Sequence, residues 1–287
     1  MASGASHVLT DMTDPRESGT AHDFRARLEG STIDPTVVYY WGYMYDLSYD
    51  YMLDYLERRG VRIRGSKVVE IGAAEGGNLC AMAQRGAGEL VGTDIARARL
   101  ESAEAIADIL DLDITYTAND IIYEEQPEEW IEHFDLALLR DVIEHLDDAE
   151  TALRNIGKLL KPGGALYVTF PPWYSPFGGH QQLLMNRASK IPFVHMLPQS
   201  LFNRALENGR PNDVVEVTRL REIRMTTTKF RAAAKAAGYS IADEQLFFIR
   251  PVFKSKFGLP AIGANLLKPI PGVRDLLALE AGYLLRK

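Results

Sequence analysis

Lys67 to Leu79 reads KVVEIGAAEGGNL, and the fold is decided there. Val68, Val69 and Ile71 form the short apolar, β-branched run that a buried parallel strand requires. A glycine-rich turn follows at once. Gly72, Gly76 and Gly77 reach backbone angles closed to other residues and let a ligand approach the main chain. Asn78, Leu79, Ala81 and Met82 then open a helical pattern, which makes the unit the first crossover of a nucleotide-type α/β domain. No lysine follows the glycines, so the turn is not a phosphate loop, and Ala74 stands where a dinucleotide fingerprint needs its second glycine. Glu70 at the strand end repels a pyrophosphate and suits a ligand with a cationic end. A purely structural turn also has this composition.

The segment Glu70-x-Gly72-x-x-x-Gly76, closing a first strand, resembles motif I of the class I S-adenosylmethionine-dependent methyltransferases, which usually carry glycine at the place of Ala74. Later segments extend the resemblance. A second strand, Glu89 to Gly92, ends at Asp94, about twenty residues beyond the turn, where a carboxylate accepts hydrogen bonds from ribose hydroxyls. NAD-binding proteins share this spacing, and Asp94 is equally placed to cap the helix begun at Ile95. A third strand, DITYTA, leads to Asn119, Asp120 and Ile121, where the resemblance implies adenine contacts and the bland reading is a loop cap. A fourth strand, FDLALL, runs into Arg140, Asp141, Val142, Ile143, Glu144, His145 and Leu146. This RDVIEHL is similar to the segment of quinone-type methyltransferases that faces the methionyl end of the cofactor. An amphipathic helix, the turn KPGG and the strand ALYVTF complete five parallel units.

With 287 residues, 46% of them apolar, the chain can bury one large core. The lone Cys80 excludes a disulfide framework and a cysteine-rich metal site, and reads as a small core residue. With no membrane-length apolar run and no signal-like core, the expected location is cytoplasmic. Residues 1–179 carry 15 Lys+Arg against 31 Asp+Glu, and 180–287 carry 17 against 8. Basic residues are not interleaved with aromatics in one stripe, which argues against a nucleic-acid partner. The basic C-terminal part permits an anionic substrate or a peripheral membrane contact, and reads equally as a solvated face.

The acceptor side is read from three places. The span 37–60 holds seven tyrosines and Trp41. Most of its apolar positions fall at helical spacing and belong to the core, while Tyr40 and Tyr43 precede that run as candidates for a lid over cofactor and substrate. After the fifth strand, PPWYSPFGGHQ supplies Trp173, Tyr174, Phe177 and His180 to the acceptor pocket. His180 is the preferred base for a hydroxyl acceptor and His145 the reserve, with Asp141 nearest the substrate. Residues 182–225 are an insertion of short helices expected to cap the site.

The expected fold is α/β: a Rossmann-like, seven-stranded, mostly parallel sheet with an antiparallel last strand, helices on both faces, a helical N-terminal segment and a lid insertion. The strands six and seven fall within 239–251. The boundaries are a mobile segment 1–30, a methyltransferase domain 31–251 and an amphipathic C-terminal extension 252–287. The resemblance implies S-adenosylmethionine as cofactor, with Glu70, Gly72, Ala73, Gly76, Asp94, Ile95, Asn119, Asp120, Ile121, Arg140 and Asp141 around it, and no metal. The expected partner is a small molecule methylated on oxygen, or alternatively on carbon, by a monomer or homodimer. A nicotinamide-dependent oxidoreductase and a non-catalytic binding protein are the other classes.

Overall fold

The structure, a computed structural model, describes residues 20–207 and 209–287. Eight strands form one sheet: β1 (Lys67–Ile71), β2 (Glu89–Asp94), β3 (Thr115–Ala118), β4 (Phe134–Arg140), β5 (Leu160–Phe170), β6 (Ser240–Ile249), β7 (Ile262–Gly263) and β8 (Glu280–Arg286). Their order is β3-β2-β1-β4-β5-β8-β6-β7. Strands β1 to β5 pair in parallel, with Val69 opposite both Val91 and Ala137. β8 is antiparallel to both of its neighbours, Tyr283 lying between Val168 and Glu244.

Successive residues of a strand point to opposite faces, so the apolar strands feed two cores. Val68, Leu136, Leu138, Tyr167 and Leu284 enter one. Val69, Ala137, Leu139, Val168 and Leu285 enter the other. Eleven helices are present among the described residues: α1 (Thr20–Glu29), α2 (Pro35–Leu47), α3 (Leu53–Arg58), α4 (Gly77–Gln84), α5 (Arg97–Leu110), α6 (Ala149–Leu159), α7 (Gln199–Leu206), α8 (Pro211–Ile223), α9 (Thr227–Ala236), α10 (Phe253–Phe257) and α11 (Pro271–Leu277). The first five cover one face and α6 with α9 the other. Local signals set these starts: Asp34 caps α2 ahead of Pro35, Asp148 caps α6 through Thr151 N, and Thr226 caps α9 through Lys229 N. Cys80 is a buried free thiol.

Three expectations are corrected. Residues 20–29, expected to be mobile, form α1, held by the burial of Leu28 and an Arg25–Asp46 ion pair, while 1–19 lie outside the described residues. The stretch 239–251 is one strand, β6, and its antiparallel partner comes from the tail. There the expected amphipathic helix shrinks to α11 and is followed by β8. Every residue from Glu280 to Leu285 is buried, because β8 fills the slot between β5 and β6 and satisfies the open backbone edges of both. Finally, β7 adds a two-residue edge, which makes eight strands instead of seven. No helix among the described residues is long and apolar enough to cross a membrane.

The tail is therefore part of the core. Leu284→Ala, at a side chain 1% exposed, is expected to cost about 2–5 kcal/mol in urea denaturation. Leu266→Ala, at a tail position 94% exposed, should change stability by less than about 0.5 kcal/mol. Equal effects would return β8 to the status of an accessory.

Candidate active site

Parallel strands β1, β2 and β4 end at the same edge, and a cavity of about 460 Å³ opens there. Its first wall comes from the tip of β2. Asp94 Oδ1 accepts from Ala96 N (2.8 Å) at the start of α5, and Oδ2 accepts from Ala74 N (3.1 Å) in the glycine turn. The N-cap of α5 is Ala96, with no side-chain cap bond, so Asp94 stands two residues ahead of it, and its two bonds fix the carboxylate where it lines the cavity with acceptor capacity to spare. Exposed Ile95 stands beside it. Across the opening are Asn119, Asp120 and Ile121. Asp120 Oδ1 caps its own loop through Ile122 N (2.9 Å), whereas the buried Asn119 Oδ1 has no partner.

The glycine turn is shaped by close approach. Gly72 has φ +74° and a Cβ there would run into Val142; Gly76 has φ +79° and a Cβ would strike the Tyr116 hydroxyl. Ala74, at the place where relatives of motif I carry glycine, is itself left-handed at φ +51°. Asp141 (φ +52°) and His180 (φ +51°) are left-handed too, which makes three of the eight such non-glycine residues among those described. Gly72 and Ala74 line it, but Ala73, Gly76 and Glu70 do not: they lie beneath its surface.

Under the floor runs a row of buried polar groups. Asn78 donates from Nδ2 to Glu70 Oε1, and its Oδ1 accepts from Arg140 Nη1 (2.8 Å) and Ser48 Oγ (2.5 Å). Burial pushes the Glu70 carboxyl up to about 8 against the pull of Asn78 and Arg140. Beside it, Arg250 joins Asp141 (Nη2 to Oδ2, 2.6 Å) to Glu280 (Nε to Oε2, 2.7 Å). Burial alone would raise Asp141, but the Arg250 and Arg140 guanidiniums outweigh it and hold the carboxyl low. Asn78, Arg250 and Glu280 were missed in the sequence, although a charge inside FFIRP and another inside LEAGYLL were visible signals.

The remaining wall is carried by His145 and Glu216; Glu144 and His180, the latter expected in the acceptor pocket, lie behind it and do not line the cavity. Ile143–His145 is a single 3₁₀ turn after β4, and His180 comes from the loop after β5. Their imidazole rings lie 5.1 Å apart. Burial and the neighbouring His145 push His180 down to about 3, which makes it a weaker base than expected. Burial opposes the charging of His145, but Glu144 and Glu216 outweigh it and raise its pKa. Helix α8 of the insertion brings Glu216 and Arg219 to the cavity, and Glu216 bonds His145 Nδ1.

Tyr43 also lines the cavity. Burial, then Asp141 and Glu75, push its hydroxyl up to about 12, and Lys256 Nζ of α10 sits 3.7 Å from its ring centre. Tyr40 does not line it, being exposed and edge-on to Tyr39 and Tyr43. The loop aromatics are not brought to this wall either. Trp173 is buried edge-on against His195, Tyr174 is exposed, and Phe177 is half-buried away from the lining. Trp173 turns inward because its backbone N–H bonds Met225 O (2.7 Å) and its carbonyl accepts from His195 Nε2 (2.7 Å).

This chemistry fits S-adenosylmethionine. Unpartnered Asp141 Oδ1 suits its cationic groups and unpartnered Arg140 Nε suits its carboxylate, both residues lining the cavity.

Comparison with known proteins agrees. Residues 69–166 match the family model described as a methyltransferase domain. The chain is 29% identical over 115 residues to the ubiquinone biosynthesis O-methyltransferase of Proteus mirabilis, covering 40% of this chain and 46% of that one. It is 33% identical over 107 residues to the enzyme of the same name from Pseudomonas entomophila, covering 37% and 45%. The match thus spans less than half the length of these relatives. Among solved structures, an S-adenosylmethionine-dependent methyltransferase from Mesorhizobium loti aligns with TM-score 0.52 at 17% identity, over 82% of this chain and 96% of that one. Magnesium protoporphyrin IX methyltransferase from Synechocystis, with bound S-adenosylhomocysteine, aligns with TM-score 0.51 at 14% identity, over 94% and 95%. Residues 69–166 thus carry a methyltransferase domain, and the chain has the fold of these S-adenosylmethionine-dependent methyltransferases.

Arg250→Met would leave the half-buried Asp141 and the buried Glu280 without their shared partner. A loss of about 3–5 kcal/mol at neutral pH is expected in urea denaturation. Both carboxyls would then be raised above their unfolded values, so the folded state would bind more protons. The deficit should therefore shrink as pH falls. A deficit independent of pH would show that the stranded carboxylates are not its cause.

Proposed function

We propose that this methyltransferase domain transfers a methyl group from S-adenosylmethionine to a hydroxyl oxygen of a small apolar, aromatic or glycosidic molecule. The observation that carries the reading is the Asp94 carboxylate fixed at the tip of β2, in a cavity whose other side is lined by Asp141 and His145. In this reading Asp94 accepts the ribose hydroxyls, Asn119 and Asp120 the adenine amine, and Ile95 and Ile121 flank the ring. Gly72, Arg140 and the Glu70–Asn78 pair receive the methionyl end. The cofactor supplies a methyl on a sulfonium, already a good leaving group, so the chain contributes alignment and exclusion of water. Tyr43 and the α8 residues Glu216 and Arg219 border the acceptor's side and set its polarity. Oxygen as the acceptor atom is supported by the relatives named O-methyltransferases and by the histidine–carboxylate wall beside the cavity.

Calorimetric titration with S-adenosylmethionine and S-adenosylhomocysteine tests the reading. Micromolar affinity, roughly −8 kcal/mol, is expected for the parent, and Asp94→Ala should weaken it by 10-fold or more, about 1.4 kcal/mol. Failure of the folded parent to bind either compound would sink the enzyme reading.

A further inference from the structure

Three side chains, His145 in the cavity lining with Glu144 and His180 behind it, are arranged in a way that methyl transfer by alignment alone does not explain. Glu144 Oε1 lies 3.7 Å from His145 Nε2 and 3.7 Å from His180 Nε2. One ligand atom from each residue lies within 4.8 Å of the other two. These separations are too long for hydrogen bonds. They are close to the spacing of ligands around one ion, about 3–3.5 Å for bonds of about 2.1 Å. Glu144 is 2% exposed, and neither of its carboxylate oxygens has a partner. Asp141 Oδ1, next along the same turn, is also buried and unpartnered. Acceptors stranded in this way are costly unless something cationic satisfies them.

The outer contacts are those of a metal site. The Glu216 carboxylate accepts from His145 Nδ1, so a hydrogen is held on Nδ1 and it is Nε2, turned toward Glu144 and His180, that ligates once its own proton has left. A carboxylate that orients an imidazole in this manner fixes its tautomer and raises its basicity as a ligand.

We infer that Glu144, His145 and His180 bind one divalent first-row transition cation, with the Asp141 carboxylate beside it. Two imidazoles and one carboxylate favour the manganese-to-zinc series over magnesium or calcium. Three protein ligands leave coordination positions open, and His145 and Asp141 both line the cavity, so those positions serve the acceptor. The assignment departs from the expectation of a metal-free enzyme. Its role rests on the proposed methyl transfer: an acceptor hydroxyl held by the ion loses its proton to solvent more readily. The oxygen's electron pair forms the bond to the methyl carbon while the carbon–sulfur bond breaks with its pair on sulfur. The products are a methyl ether, the neutral thioether and one proton, and the ion's charge is unchanged.

The test uses the full chain stripped with a chelator and titrated with Co²⁺, followed by its visible absorption, and then with Zn²⁺ in competition. One Co²⁺ per chain, displaced by Zn²⁺, is expected. Glu144→Gln and His180→Asn should each weaken Co²⁺ binding by at least the about 10–100-fold that loss of an outer partner costs. Binding of S-adenosylhomocysteine, measured on the same samples, should stay within a few-fold. Thermal melts check that both variants fold, and His145→Asn replaces either one that does not. Absence of saturable Co²⁺ and Zn²⁺ binding to the folded parent at millimolar metal overturns the inference, as does unchanged affinity in the folded variants. Co²⁺ bound through these residues without any binding of S-adenosylhomocysteine would keep the cation site and remove the methyl-transfer reading.

Discussion

Arg250 is the constraint on which the rest of the structure turns. A half-buried guanidinium at the end of β6 needs carboxylates within reach, and it finds Asp141 at the end of β4 and Glu280 at the start of β8. Each half of that arrangement requires the other, because a buried charge left alone costs more than a buried pair returns. The adjoining chain from Arg140 through Asn78 to Glu70 and Ser48 extends the linkage to α4, β1 and the turn between α2 and α3. Three carboxylates and two guanidiniums therefore lie under one sheet edge.

The same network accounts for part of the backbone strain. Ala74, Asp141 and His180 all take left-handed backbone angles at about 1–3 kcal/mol each. Asp141 is held there from both sides, by Arg250 on its side chain and by its N–H on Thr169 O (2.8 Å). Ala74 is held by its N–H on Asp94. Strain of this kind persists only where surrounding contacts over-determine the chain, and here those contacts belong to residues that line or underlie the cavity.

Much of this was legible in the sequence. The β-branched run at Val68–Ile71, the glycine turn and Asp94 gave the crossover, and the RDVIEHL segment pointed to the right strand end. Patterns with a period report faithfully on elements that have one wet face. What escaped was β8. Its leucines, with those just before it, fit helical spacing, and a strand buried on both faces has no polar alternation to reveal it. Pairing with β5 and β6 decided the matter, and no local signal encodes pairing. The loop aromatics failed for a related reason: composition located Trp173 near the site, but its backbone bonds to Met225 and His195 turned the ring inward. Arg250 and Glu280 were visible as charges in apolar runs, yet only the fold shows that they meet.

The position of β8 has a consequence for how the chain is made. β5 is complete at Phe170, but the strand that covers its open edge begins at Glu280, beyond the whole insertion, β6 and most of the tail. At about 5–20 residues per second, synthesis of that interval leaves the edge of β5 unpaired for seconds. An open apolar edge is a template for joining the wrong strand. The interval is long in sequence and its closure is entropically slow. Assembly of this sheet therefore ends with an insertion between two waiting strands, and the nascent chain is most exposed to misassociation just before its last strand arrives.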